Sequence, residues 1–129
     1  MTETGFWQLL EKAWEKGRTT MISECYTGPG GVDEQVAAYL SAHSHLPAHN
    51  ESIPQDAITG MGKLLFEKKV KKKTKEAILI LLAHREEPNA LFFLRQYDKR
   101  PDKGLEIFSK MALQEAGQSG SGTRLLGII

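Results

Sequence analysis

Apolar residues recur at helical spacing along almost the whole chain. Phe6, Leu9, Leu10, Ala13 and Trp14 follow Thr4, a residue suited to capping a helix, and precede Gly17, which suits the left-handed position beyond a helix end. This predicts an amphipathic helix over residues 4–16. Met21, Ile22, Cys25 and Tyr26 continue the three-then-four spacing from Arg18, and Gly28-Pro29-Gly30-Gly31 must end that short second helix. Asp33 offers a carboxylate to the free amides of a third helix, over about 33–44, that carries Val36, Ala37 and Leu40, with Val32 as a hydrophobic staple. His45 to Glu51 has no period and contains Pro47 and Asn50, so it reads as a loop.

Ser52-Ile53-Pro54-Gln55 has the form of a capping box, and Ala57, Ile58, Met61, Leu64 and Leu65 make the stripe of the helix it opens. Gly60 and Gly62 each cost up to about 1 kcal/mol there relative to alanine, which predicts close packing by another element. The run from Ala77 to Ala83 is apolar throughout, as a buried strand or an all-round buried helix would be. Leu and Ala dominate it, no turn signal precedes it and no other strand exists to pair with it, so it is assigned as helix. Pro88 opens a helix with Ala90, Leu91 and Leu94, and Pro101 opens another with Leu105, Phe108, Met111 and Ala112, stopped by Gly117. About seven helices with short links result, an all-α chain forming a single helical domain over residues 1–117.

The second half carries an internal echo. Glu76-Ala77-Ile78-Leu79-Ile80-Leu81-Leu82-Ala83 returns as Lys103 to Ala112 at an offset of 28 residues between Ala77 and Leu105, with a proline-started helix between. In this pattern of Ala, Leu and Pro positions, residues 54–116 resemble the HEAT-like, armadillo-type helical repeat family. The resemblance implies a short right-handed array of antiparallel helix pairs, six or seven helices in all, that binds proteins and has no chemistry of its own. The Gly60/Gly62 helix and the N-terminal third depart from the pattern, and an irregular helical bundle stands as the alternative.

Composition adds a charge asymmetry. The 129 residues are 40 % hydrophobic and 26 % charged with a net charge of +1, suited to one core. Residues 1–62 set three basic against eight acidic residues, net −5, whereas residues 63–129 set fourteen against eight, net +6. Lys63, Lys68, Lys69, Lys71, Lys72, Lys73 and Lys75 face Glu67 alone within residues 63–75. Such a run can contact phosphates or an acidic partner, which makes Lys68, Lys69, Lys71, Lys72 and Lys73 the candidate contacts. A solvated helix end and linker is the favoured reading. Lysine without arginine is a poor reader of bases, and no recognised nucleic-acid motif is present.

Candidate chemistry is sparse. His43, His45 and His49, with Glu51 and the single Cys25, are the one conceivable metal set, but they form no i, i+4 pair on a helix, His45 to Glu51 reading as a loop, and no H-E-x-x-H, so no metal or cofactor is assigned. Cys25 among Met21, Ile22 and Tyr26 reads as a buried structural thiol. No nucleophile elbow or phosphate-cradling loop occurs, and Glu86-Glu87 suits a helix N-terminus, so no catalytic residue is assigned. Trp7, Trp14 and Tyr97 read as core. Phe92 and Phe93 diverge by about 100° on their helix, which predicts that one is exposed as an apolar anchor for a partner. Residues 118–122 read as a flexible linker to an apolar tail bearing Leu125, Leu126, Ile128 and Ile129. It is expected to dock into a helical groove, its own domain's or a second copy's, and in the second case to form a tail-mediated homodimer. No stretch reaches the roughly 20 apolar residues of a membrane helix, and the expected setting is the cytoplasm. The functional expectation is a non-catalytic protein-interaction module, with a nucleic-acid-associated helical domain using the Lys63–Lys75 run as the alternative.

Overall fold

The computed structural model describes residues 1–18 and 31–120, without the side chains of residues 31–33 and 118–120. These residues form six α-helices: α1 (Glu3–Trp14), α2 (Gly31–Ala42), α3 (Gln55–Leu64), α4 (Lys72–Ala83), α5 (Pro88–Lys99) and α6 (Glu106–Gly120). Two single 3₁₀ turns, His43–His45 and Asn50–Ser52, break the stretch between α2 and α3. No β-strand occurs among the described residues. The only β-type contact there is an isolated bridge between Arg18 and Pro47. The helix expected from Arg18 therefore does not include Arg18, which is extended, and its remainder, with Cys25, lies outside the described residues.

The buried run decides the architecture. Every residue from Ala77 to Ala83 is fully buried, because α4 is enclosed by α2, α3, α5 and α6. A helix covered on several sides needs no polar face, which is why its sequence has no helical period. Phe6 and Leu10 of α1, Ile58 and Met61 of α3, Leu94 of α5 and Phe108 of α6 are fully buried around it. Each contributes about 1.5–3 kcal/mol by leaving water. Consecutive helices α4, α5 and α6 pack against one another, α4 also touching α6.

Helix starts depart from the expected punctuation. The cap of α1 is Thr2, whose hydroxyl accepts from the Gly5 amide at 3.0 Å, and Thr4 lies inside the helix. Ser52 makes no capping box: its hydroxyl donates to the His49 carbonyl at 2.7 Å, and α3 starts after Pro54 without a side-chain cap. Pro101 does not open α6, which begins at Glu106 after Gly104 turns the chain at φ +91°. There the cap comes from another helix. Gln35 of α2 accepts from the amides of Ile107 and Phe108 at 2.7 and 3.0 Å. The start of α4 is completed in the same way by Glu3 of α1, whose carboxylate accepts from the Lys71 amide at 3.1 Å and from the Thr74 hydroxyl. The α2 helix begins at Gly31, two residues ahead of the expected Asp33, whose side chain lies outside those described. Gly117 does not stop α6, and residues 118–120 of the expected linker are helical; a lone glycine only weakens a helix. The rest of the linker and the apolar tail lie outside the described residues.

Gly17 does adopt the left-handed conformation expected of it, at φ +125°. It turns the chain so that its carbonyl accepts from the Ala48 amide at 2.9 Å. Arg18 then donates to the Ser44 carbonyl at 2.6 Å and lays its guanidinium 3.8 Å from the centre of the Trp14 ring.

Candidate functional site

The first candidate surface grows out of α3 and α5. Adjacent residues leave a helix about 100° apart, so Phe92 and Phe93 cannot both face inward. Phe93 lies over Gly62, where a Cβ would stand 2.5 and 2.6 Å from its ring atoms Cγ and Cε2. This is the close approach that the paired glycines predict. Phe92 remains 55 % exposed, and beyond the end of α3 Phe66 is 51 % exposed. The three rings are continuous, with centroids 5.6 Å apart for Phe92–Phe93 and 6.5 Å for Phe66–Phe93, while Phe66 also lies edge-on to Tyr97 at 6.1 Å. Lys63 precedes this patch on α3, Lys68 and Lys69 follow it in the turn, and Arg95 stands one turn beyond Phe92; all four are exposed. The sequence flagged Phe92 and Phe93 but not Phe66, whose exposure follows from α3 ending two residues earlier.

The lysine run does not form one face. Lys71, Lys72 and Lys73 are exposed but consecutive at the start of α4, so they fan outward. Cations there oppose the helix dipole, and Glu3 supplies the compensating charge. Its carboxyl is held below the ordinary range, chiefly by the Thr74 bond. Lys75 corrects the expectation of a solvated run: its side chain is only 4 % exposed, with Nζ 2.7 Å from Asp102 Oδ2. Tyr97 donates to the same oxygen at 2.5 Å. Burial pushes the Asp102 carboxyl up, but the bonds from Lys75 and Tyr97 outweigh it and hold the group below its usual value. An unpaired buried ammonium would be costly, so Asp102 is what permits Lys75 to pack inside.

A second cluster joins three helices. His43 follows α2, and its Nδ1 lies 2.9 Å from the Tyr39 carbonyl; His84 follows α4, with Nδ1 2.9 Å from the Ile80 carbonyl. Each ring thus faces a carbonyl in the last turn of the helix it follows. Both rings turn Nε2 toward Glu115 of α6, at 3.3 Å from Oε1 for His43 and 2.9 Å from Oε2 for His84. The Tyr39 hydroxyl also donates to Glu115 Oε1. Burial raises the Glu115 carboxyl, yet the bonds from His43, His84 and Tyr39 together hold it far below the carboxylate range. The Tyr39 hydroxyl is driven well above its usual value, by burial first and then by Glu115. His43 is raised by its bond to Glu115, against desolvation. His84 also lines an open depression of about 530 Å³ with Asn50, Glu51, Arg85, Glu86 and Glu87. Arg85 holds its rim together, donating to the carbonyls of Asn50 and Ile53 and pairing with Glu87.

The other histidines go elsewhere. His45 stacks on Trp14 and meets Trp7 edge-on, and burial foremost lowers its basicity. His49 is exposed beside Glu51, 3.4 Å away. Trp7 and Trp14 are half-buried, their ring N–H groups donating to Thr74 and to the His45 carbonyl. Sequence spacing thus grouped three histidines of which only His43 joins the cluster. His84 and Glu115 are 41 and 72 positions beyond His43, and no local signal links them. Comparison with protein-family models, curated proteins and solved structures returns no match for the chain. No described helix is long and apolar enough to cross a membrane.

Proposed function

We propose that the protein is a non-catalytic, cytoplasmic interaction module that docks an acidic, apolar segment of a protein partner on the Phe66–Phe92–Phe93 face. The observation that carries this reading is the pair of half-exposed phenylalanines, Phe66 and Phe92, braced by a third ring pressed onto Gly62. A rigid aromatic patch on a soluble surface is costly unless something covers it, and aromatic anchors dominate binding energy. The flanking Lys63, Lys68, Lys69 and Arg95 favour carboxylates beside the apolar anchor and disfavour basic segments. The resemblance to HEAT-like helix pairs supports the same kind of role. The nucleic-acid reading has less support, because Lys71, Lys72 and Lys73 fan out rather than line a groove.

The test is fluorescence polarisation with amphipathic peptides that alternate Leu or Phe with Asp or Glu, with their Lys/Arg counterparts, and with a single-stranded oligonucleotide. Acidic peptides should bind, and replacing Phe66 and Phe92 together by Ser should weaken them by about 10-fold or more, as loss of hot-spot anchors does. Absence of binding, or binding indifferent to both substitutions, would refute the reading. Oligonucleotide binding that falls on charge reversal at Lys71, Lys72 and Lys73 and ignores Phe92 would establish the alternative.

A further inference from the structure

We infer that His43, His84 and Glu115 form a binding site for one divalent transition-metal ion of the zinc class. The donor atoms come from three separate helix ends or faces and all lie within 4.8 Å of one another. Two features of the geometry point to a cation rather than to a simple ion-paired cluster. In both imidazoles Nδ1 faces a backbone carbonyl at 2.9 Å, so Nδ1 carries hydrogen and Nε2 is the inward-facing atom. That is the arrangement by which backbone acceptors orient ligating histidines. Each Nε2 in turn faces a carboxylate oxygen, so every ring nitrogen in the cluster meets an acceptor. Neutral imidazoles cannot satisfy four acceptors. The cluster therefore needs either two extra protons or one dication at its centre.

The two imidazoliums required by the first solution would sit with ring centroids 5.1 Å apart, one of them buried. A single ion removes that repulsion: it takes the lone pairs of both Nε2 atoms and one oxygen of Glu115, and two protons leave to water. With Oε1 as the ligating oxygen, its 3.3 Å separation from His43 Nε2 matches the ligand–ligand edge of about 3.3 Å that metal–ligand bonds of about 2.0–2.1 Å give in a tetrahedron, while His84 Nε2 lies 2.9 Å from the other oxygen of the same carboxylate. The Tyr39 hydroxyl, donating to Glu115 Oε1, fixes the carboxylate as outer partners of metal ligands do. Two imidazoles with one carboxylate favour zinc and its first-row neighbours over magnesium or calcium, which seek oxygen shells. Three protein ligands leave a fourth position for water or a small anion. The ion would tie the ends of α2 and α4 to α6.

The full chain, stripped with chelator, should bind one equivalent of zinc in a calorimetric titration and melt at a higher temperature when loaded. Magnesium and calcium should produce neither effect. His84→Ala, at the more exposed of the two imidazoles, should weaken zinc binding by at least about 100-fold, a larger loss than removal of an outer partner gives. To guard against a variant that misfolds, His84→Cys should give cobalt-loaded protein an intense sulfur-to-cobalt charge-transfer band that the parent lacks; only direct coordination produces it. Three results would overturn the site: no saturable zinc binding by the parent, zinc binding unchanged in His84→Ala, or binding abolished instead by His49→Ala, which would place the ion on the exposed His49–Glu51 pair.

Discussion

Substituting Gly62 by alanine separates helix propensity from packing. Both Gly60 and Gly62 lie in α3 with ordinary helical backbone, so on propensity alone each alanine should stabilise by up to about 1 kcal/mol. The environments differ. A Cβ at Gly60 would meet the side chain of Met1 at 3.1 Å, and that side chain is half-exposed, with room to give way. A Cβ at Gly62 would be only 2.5 Å from Cγ of Phe93, near the ring's attachment rather than its far end. Restoring an ordinary contact of about 3.5 Å requires the ring to move by roughly 1 Å, which disturbs its packing on Phe66 and Phe92. Overpacking of this kind costs about 1–3 kcal/mol, and loosened aromatic pairs add about 0.5–1.5 kcal/mol. The balance is a net loss of about 1–2 kcal/mol, or roughly 4–8 °C in Tm for a chain of this size. Thermal unfolding by circular dichroism should therefore show Gly60→Ala unchanged or stabilised and Gly62→Ala destabilised. In a Phe93→Ala background the obstructing ring is gone, and Gly62→Ala should turn stabilising. A Gly62→Ala protein as stable as Gly60→Ala, or a loss that persists without the Phe93 ring, would refute the packing argument.

Replacing Asp102 by Asn leaves the Lys75 ammonium buried without its counter-charge and should cost roughly 2–4 kcal/mol at neutral pH, discounted from the value for a fully buried pair because Asp102 is partly solvated. Because the folded Asp102 group is more acidic than its ordinary value of 3.8, its contribution is complete above that pH and fades as pH falls through the lower folded value. Urea titrations should show the Asp102→Asn deficit shrinking below about pH 4; a constant deficit would remove this coupling. Glu3→Ala removes the acceptor for Lys71 and Thr74 and should cost about 1 kcal/mol, with hydrogen exchange accelerated in the first turn of α4. Unchanged exchange there would show that water serves equally well.

The sequence by itself determined the existence of the helices whose cause is local, although not their caps: Thr2 rather than Thr4 caps α1, and Ser52 makes no capping box. Periodic apolar positions placed α1, α3 and α5, because one face of a surface helix must leave water whatever it packs against. Pro88 set the start of α5, and Gly17 took the left-handed turn its position required. The exposure of one member of the Phe92–Phe93 pair followed from helical geometry alone, and the apolar run through Ala83 excluded a surface location for α4. Tertiary structure decided what depends on partners far along the chain. Gln35 and Glu3 complete the starts of α6 and α4 from other helices, so the residues around each start could not reveal them. Lys75 is buried because Asp102 and Tyr97 meet it, and sequence shows only its membership of a charged run. The histidine cluster is the clearest case. His43, His84 and Glu115 are brought together only by the packing of α2, α4 and α6, and the spacing of residues along a chain carries no information about which helix ends will meet.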